Sequence, residues 1–217
     1  MDDTLLLVDK PVGFSSFQIV RLLQRKYLKV GHAGTLDPFA SGLLIMLPNR
    51  ATRQFESIQV MEKEYTGEIV LGVSTDTYDI TGSLTEPAKA VKSLLDLEGY
   101  NGIAQRFIGE IKQVPPRFSA LKWKGQRMYK LSREKKEIKM TPRNVIIKSF
   151  QIEKVDPPIL SFKSVVGKGV YMRSLAHDFG RAAGCGASLL SLRRTRIGEY
   201  RVSTASTLGD IIRIVSC

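Results

Sequence analysis

Two long segments in which apolar residues are interspersed with polar ones, 144–155 and 159–166, limit what this chain can fold into. Each is long enough for a β-strand and has the composition of one. Asp156, Pro157 and Pro158 stand between them, and such a stretch is typical of a turn. The sequence therefore predicts two strands joined at this turn.

The other predicted elements are strands and helices of unequal length that follow no regular alternation. The sequence predicts further strands over 4–8, 43–47 and 65–73 and helices over 171–183 and 208–215. Ser15 or Ser16 is suited to cap another helix, and residues 87–110 suit a helix or a mixed connection. Groups of strands separated by unequal helical connections favour an α+β fold over a βαβ repeat.

Size and composition favour a single soluble domain. With 217 residues, 43% of them apolar, the chain can bury one sizeable core, whereas two full domains would be cramped. The longest apolar run, 43–47, is far shorter than the roughly 20 residues that cross a bilayer. The two cysteines, Cys185 and Cys217, form no disulfide framework and favour a reducing compartment, so a cytoplasmic location is expected.

The chain is strongly basic, and its positive charge is concentrated in one segment. The net charge is +12 and the sequence pI is about 9.8. Residues 117–148 hold 11 Lys or Arg against 2 Glu, whereas residues 62–110 hold 9 acidic residues against 4 basic ones. A basic stripe predicts contacts with the phosphates of a nucleic acid. A Lys-rich run is also typical of a solvated face, and charge alone leaves both interpretations open.

The loop from Val30 to Pro38 presents one carboxylate, that of Asp37. Glycines at 31 and 34 let the backbone approach a ligand closely, and Pro38 stiffens the chain directly after the acid. An Asp held at a fixed angle on an exposed loop is suited to act as a nucleophile. Asp-Pro is also a common turn pair, and the loop by itself leaves this alternative open.

Short motifs run in order through nearly the whole chain. They are Lys10-Pro11-Val12-Gly13-Phe14-Ser15-Ser16, Gly31-His32-Ala33-Gly34-Thr35-Leu36-Asp37-Pro38, Ala40-Ser41-Gly42-Leu43-Leu44, Lys63-Glu64-Tyr65, Leu71-Gly72 with Thr75-Asp76-Thr77, Val114-Pro115-Pro116-Arg117-Phe118-Ser119-Ala120-Leu121-Lys122, Gly169-Val170-Tyr171-Met172-Arg173-Ser174-Leu175 and Leu192-Arg193-Arg194-Thr195. In these motifs the chain resembles the bacterial TruB-type tRNA pseudouridine synthases.

The resemblance implies a fold and a reaction. The fold is a mixed, largely antiparallel sheet with flanking helices and an inserted basic, thumb-like lobe that grips RNA, here about residues 118–142. Residues 1–217 are expected to form a single catalytic domain without the small C-terminal PUA-like domain that many bacterial members carry. The reaction is the isomerisation of uridine to pseudouridine, which needs no redox cofactor.

The resemblance also implies roles for individual side chains. Asp37 matches the family's catalytic aspartate, and Arg173 matches an arginine that pairs with it and keeps it charged and oriented. Tyr65 matches the residue that stacks on the flipped base and assists proton transfer, and His32 the one that supports the displaced RNA. Further residues assigned to substrate binding are Tyr171, Leu192 and Lys10.

The implied substrate is the T-arm of tRNA, whose uridine at position 55 in tRNA numbering leaves its stack to be modified. Contacts to the RNA backbone are expected from five basic residues of the thumb-like lobe: Lys122, Lys124, Arg127, Lys130 and Arg133. No metal and no obligatory protein partner are expected, and the protein is expected to be a monomer.

Three other interpretations remain open at the level of the sequence. Asp76 and Asp79 could offer oxygen ligands to a divalent ion near a basic surface, as in a metal-dependent nuclease. The chain could instead be an RNA-binding module that remodels tRNA. A guide-RNA-dependent relative would keep the reaction but change the substrate, although the missing C-terminal domain and the basic lobe favour the stand-alone type.

Overall fold

A computed structural model describes residues 4–86, 91, 95–116, 122–123, 126–127 and 140–216. The strands are β1 (Leu6–Lys10), β2 (Val30–His32), β3 (Ser41–Pro48), β4 (Lys63–Leu71), β5 (Gly109–Gln113), β6 (Lys122–Trp123), β7 (Gln126–Arg127), β8 (Arg143–Asp156), β9 (Ile159–Val166), β10 (Ala187–Ile197) and β11 (Tyr200–Arg201). The helices are α1 (Ser16–Leu23), α2 (Phe55–Val60), α3 (Leu97–Gln105), α4 (Met172–Ala182) and α5 (Leu208–Ser216), with 3-10 helices at Asn49–Gln54 and Val202–Thr204.

The chain divides into two compact units. The first comprises Met1–Thr66, Val165–Lys168 and Ser191–Cys217, and the second comprises Gly67–Ser164 and Gly169–Leu190. Three strands, β4, β9 and β10, contribute residues to both units. Among the described residues, no helix combines the length and the apolar character that a membrane span requires.

In the first unit the strand order is β1-β3-β10-β4. Strand β3 is antiparallel to β1 and to β2, and parallel to β10. Residues 42–48 of β3 are all buried, as expected for a strand that is covered on both faces. Alternate side chains of β3, those of Leu43, Ile45 and Leu47, pack in one cluster with these residues: Ala33, Ala51, Ile58 and Ile197.

In the second unit the strand order is β10-β4-β9-β8-β5, and β5 and β8 are antiparallel. Helix α3 packs on β8 and contacts α4. The core is aromatic: the Phe150 ring meets those of Phe107, Phe162 and Phe179 edge-on, with centroids 5.6–6.4 Å apart. Such edge-to-face pairs are favourable because the positive ring edge meets a negative ring face.

The predicted α+β class and the largely antiparallel sheet are confirmed, and the two long strands are β8 and β9. No strand was predicted over β5, whose first two residues fall at the end of the segment 87–110 that was expected to be a helix or a mixed connection. Its residues are largely polar, so they lack the apolar signal of a strand, and pairing with β8 defines it instead. Strand β1 extends to Lys10, two residues beyond the predicted strand end at 8.

Gly42 of β3 stands opposite Arg194 of β10, and we expect Gly42→Ala to be strongly destabilising. A Cβ at this position would overlap the Arg194 carbonyl oxygen, and the backbone has φ +102°. Gly13 provides the matched control, since it has φ +89° but a Cβ there would meet nothing within 4 Å. Gly13→Ala should cost about 1–2 kcal/mol from the left-handed backbone alone.

Gly42→Ala should cost about 1–3 kcal/mol more than Gly13→Ala, because overpacking adds to the backbone strain. Urea denaturation of the two variants measures this difference directly. Equal free energies of unfolding would show that β3 and β10 separate easily at this point.

Candidate active site

The Asp37 loop, residues 33–40, connects β2 to β3 in the first unit, and it is anchored to the start of α1. The Ser16 hydroxyl accepts a hydrogen bond from the Leu36 N–H at 2.9 Å and lies 3.1 Å from the Leu36 carbonyl, to which it donates. Gly13 N–H donates to the Pro38 carbonyl at 2.8 Å. These contacts hold the residues on both sides of Asp37, so its backbone has a fixed position.

Lys10 anchors the far end of the same loop. Its side chain is fully buried, and Nζ donates to the carbonyls of Pro11 (2.9 Å), Phe14 (2.6 Å) and Ala40 (2.5 Å). Three acceptors match the three N–H groups of an ammonium ion. Burial lowers the pKa of Lys10 to about 8, the charge of Asp37 opposes this change, and the charge of Arg194 adds to it. The ammonium group that anchors this end of the loop therefore loses its proton near pH 8.

We expect turnover to fall as the pH rises through about 8, because deprotonated Lys10 loses its charge and one N–H donor. Single-turnover rates between about pH 6.5 and 9.5 measure this. Lys63 is the control, because its pKa is also lowered to about 8 by burial, yet it donates to Gln59 and Met61 rather than to the loop. Lys10→Met should be slow and flat over this range, whereas Lys63→Met should retain the fall.

The effect on stability has the opposite sign. Between pH about 8 and 10.5 the unfolded chain binds more protons than the folded one at Lys10, so this group raises the free energy of unfolding as the pH increases. A loss of activity in this range would therefore not reflect unfolding caused by Lys10. If the turnover of Lys10→Met fell with the same midpoint pH as that of the native chain, Lys10 would not be the group whose deprotonation lowers turnover.

His32, Tyr65 and Leu192 also belong to the first unit. His32 ends β2 opposite Met46, and burial followed by the charge of Arg194 lowers its pKa, so the ring is neutral at neutral pH. Tyr65 in β4 and Leu192 in β10 are both 8% exposed, so each leaves a small part of its side chain accessible. A neutral imidazole and an aromatic face are suited to contact a base rather than a phosphate.

Arg173 and Tyr171 belong to the second unit, at the start of α4. Arg173 Nη1 lies 3.4 Å from Asp79 Oδ2 and donates to the Thr77 carbonyl at 3.1 Å. The side chains of Arg173 and Asp79 are only 6% and 4% exposed. Asp79 Oδ1 accepts from the hydroxyls of Thr77 and Thr81. Both oxygens of the Asp79 carboxylate therefore have partners, and the carboxylate in turn orients the Arg173 guanidinium.

The Gln113 amide fixes the backbone of Tyr171. Its Oε1 accepts from the Tyr171 N–H at 2.8 Å, and its Nε2 donates to the Tyr171 carbonyl at 3.1 Å. Tyr171 is the residue that precedes α4, so this pair sets where the helix begins and thus where Arg173 projects.

The sequence of the chain matches two protein-family models. Residues 21–172 match the family model described as TruB family pseudouridylate synthase (N terminal domain). The chain belongs to the TruB family. Residues 173–216 match a second model, tRNA pseudouridylate synthase B C-terminal domain.

Individual members of the TruB family align with nearly the whole of this chain. The tRNA pseudouridine synthase B of Chloroherpeton thalassium is 41% identical over 97% of this chain and 90% of its own length. The protein of the same name from Flavobacterium johnsoniae is 39% identical over 94% and 93%. Among solved structures, a chain from a Cbf5-Nop10-Gar1 complex superposes on 96% of this chain with a TM-score of 0.74 and 27% sequence identity. The matched region is 53% of the length of the Cbf5-Nop10-Gar1 chain.

Of the site residues predicted from the TruB resemblance, five lie in the first unit and two in the second. The first unit holds Asp37, His32, Tyr65, Leu192 and Lys10, and the second holds Arg173 and Tyr171. The ion pair between Asp37 and Arg173 stays a prediction. Two of the predicted RNA-backbone residues, Lys122 and Arg127, stand opposite each other in the antiparallel pair β6–β7. The other three, Lys124, Lys130 and Arg133, lie outside the described residues.

Sequence reasoning did not assign Gln113 or Arg194 to the site, and it considered Ser16 only as a helix cap. Asp79, considered only in the alternative of a metal-dependent nuclease, pairs with Arg173. Among the described residues, no group of three or more His, Cys, Asp or Glu is placed to hold a metal ion. A TruB motif supplied the only signal for Arg194, which is two residues from Leu192.

Proposed function

We propose that this chain isomerises uridine to pseudouridine in tRNA, with Asp37 as the catalytic carboxylate. The observation that carries the proposal is the anchoring of the Asp37 loop by Ser16, Gly13 and Lys10 in a member of the TruB family. A carboxylate fixed in this way can meet a sugar or a base at one angle. The names of its relatives, tRNA pseudouridine synthase B, support the same reaction.

The reaction breaks the bond from N1 of uracil to C1′ of ribose and forms a bond from C5 to C1′. The proton lost from C5 is balanced by the proton gained at N1, so no electrons are gained or lost overall. Asp37 stabilises cationic character at C1′ or forms a covalent bond in the course of the exchange, as carboxylates do in glycoside cleavage. Arg173, oriented by Asp79, keeps Asp37 charged, and Tyr65 stacks on the flipped base and assists proton transfer.

The proposed substrate is the T-arm of tRNA, modified at position 55 in tRNA numbering. The net charge of +12 and the basic segment 117–148 support a polyanionic substrate. The backbone contacts are assigned to the five basic residues of the thumb-like lobe, and the base pocket to His32, Tyr65, Tyr171 and Leu192. Lys10, also predicted to bind substrate, is fully buried and donates to three backbone carbonyls, so we assign it to anchoring the loop instead. We further propose that the protein acts as a monomer in the cytoplasm, where tRNA matures.

Pseudouridine formation in an unmodified tRNA transcript tests the proposal. Purified protein is incubated with the transcript in two parallel reactions, one with Mg²⁺ and one with EDTA, and pseudouridine is mapped by carbodiimide treatment and primer extension. A stop at the T-loop uridine is expected, and a transcript with cytidine at this position should give none. Strand cleavage that EDTA prevents would indicate a metal-dependent nuclease. Retained tRNA binding without any stop would favour a module that remodels tRNA.

A further inference from the structure

Arg194 carries a buried guanidinium that contacts the chain on both sides of Asp37. The residue lies in β10 and is 1% exposed. Its Nε donates to the Leu43 carbonyl at 2.7 Å, and its Nη2 donates to the Gly34 carbonyl at 3.0 Å. Gly34 lies near the start of the Asp37 loop, and Leu43 follows its end. One side chain therefore joins the two ends of the segment that carries the carboxylate.

We propose that Arg194 is a positioning residue for Asp37: by bridging Gly34 and Leu43 it fixes the separation of the two ends of the loop. The inference rests on the proposed function, because it assumes that Asp37 is the catalytic carboxylate. Arg194 itself is not assigned to contact the substrate. It acts through the backbone, as Ser16 and Lys10 do at other points of the loop.

The backbone and the guanidinium of Arg194 both pack closely against the segment that carries Asp37. Arg194 stands opposite Gly42 in the parallel pairing of β10 with β3, where a Cβ on Gly42 would overlap its backbone. A Cβ on Gly34 would lie 3.4 Å from Nη1, at the tight end of ordinary contact, and Gly34 has φ +100°. One acceptor carbonyl therefore belongs to a glycine, Gly34, and the other belongs to Leu43, which directly follows Gly42.

The planar fork of arginine is required for this arrangement. Nε and Nη2 point in different, fixed directions and reach two carbonyls at once, whereas the single ammonium of a lysine is a point charge on a flexible stem. The charge of Arg194 also lowers the pKa values of Lys10 and His32, which places the guanidinium within electrostatic range of the loop anchor and of the neighbouring histidine. Arg194→Lys keeps the charge but loses the double bridge.

Arg196→Lys is the matched control. Arg196 lies two residues further along β10, with its side chain 16% exposed, and donates to Glu62 and to the Gly198 carbonyl rather than to the loop. Both variants are compared with the native chain in four measurements: the single-turnover rate at saturating tRNA, the Kd for tRNA, the Tm, and amide hydrogen exchange of residues 35–40.

We expect Arg194→Lys to lower the saturating rate about tenfold to a hundredfold, as small displacements of a reacting group do. The Kd for tRNA should stay within about twofold of the native value, because Arg194 is not proposed to contact the tRNA. Amide hydrogen exchange of residues 35–40 should become faster. Arg196→Lys should lower the Tm comparably while its rate and loop exchange stay close to native. A native rate in Arg194→Lys, or equal losses in the two variants, would overturn the proposal.

The outcomes separate this inference from the proposed function. If the native chain forms no pseudouridine, the proposed function fails, while faster exchange of residues 35–40 in Arg194→Lys would still show that Arg194 orders the loop. If the native chain is active and exchange of these residues does not change, the inference alone fails. Should Arg194→Lys not fold, Gly34→Ala disturbs the same bridge from the loop side, because it strains the backbone (φ +100°) that carries one acceptor carbonyl. Gly109→Ala controls for the strain itself, since Gly109 has φ +103° and a Cβ there would meet nothing within 4 Å. Equal exchange of residues 35–40 in these two variants would overturn the inference.

Discussion

Asp37→Asn is expected to reduce pseudouridine formation by at least about a thousandfold, because loss of a nucleophile or of the charge that stabilises a cationic transition state removes several kcal/mol of catalysis. The amide has almost the same shape as the carboxylate. The anchors of the loop are made to the backbone of its other residues, Leu36, Pro38 and Ala40, so none of them is a hydrogen bond of the Asp37 side chain. Because the charge of Asp37 raises the pKa of Lys10, the variant is assayed well below pH about 8, where Lys10 stays protonated. The variant should therefore fold and bind tRNA.

The measurement is a single-turnover time course with tRNA, alongside the Tm and the tRNA Kd. Asp210→Asn is the control, because it makes the same change of acid to amide in the same unit, at a helix cap where the carboxylate accepts from the Thr207 N–H and hydroxyl. Its rate should match that of the native chain. Substantial turnover in Asp37→Asn would remove this residue from the mechanism, and loss of folding would assign it a structural role.

Arg173→Met is expected to destabilise the chain by about 3–5 kcal/mol, because it leaves the carboxylate of Asp79 buried without its cation. The two side chains are only 6% and 4% exposed, so water cannot replace the lost partner. Arg193→Met is the control: Arg193 pairs with Asp9 at 2.7 Å, but these side chains are 41% and 29% exposed. Removing this pair should cost no more than about 1 kcal/mol.

Urea denaturation of both variants measures the difference, and a double variant sharpens it. Arg173→Met combined with Asp79→Asn removes both charges, so it should recover part of the lost stability, as replacement of whole buried pairs often does. Turnover should stay low in the double variant, since the arginine is still missing. Equal costs for Arg173→Met and Arg193→Met would show that the Asp79 pair contributes little to stability.

Local sequence patterns predicted those parts of the molecule that local interactions determine. The long strands β8 and β9 were evident because their strand-like composition spans many residues and a Pro-rich turn separates them. The Asp37 loop was evident from its glycines and Pro38. The TruB motifs added the fold family and the site residues that composition alone could not supply.

Contacts between distant parts of the chain could not be predicted in this way. The carbonyls that Arg194 binds are 151 and 160 residues away in sequence, and nothing in Leu-Arg-Arg-Thr distinguishes this buried arginine from the partly exposed Arg193 beside it. Asp79 looked like a possible metal ligand because it stands near Asp76, yet its partner Arg173 is distant in sequence. Burial and pairing of charges depend on the tertiary fold, and periodicity carries no information about them.

The Asp37 loop is held through its own carbonyl groups, and this has a consequence for how its sequence can change. Gly34, Leu36, Pro38 and Ala40 each offer a backbone oxygen to a donor elsewhere in the chain. Every amino acid has such an oxygen, so the loop's own side chains at positions such as 35 are open to substitution during evolution or library design. Intolerance to mutation should instead concentrate at the donors, which lie far away in the linear sequence.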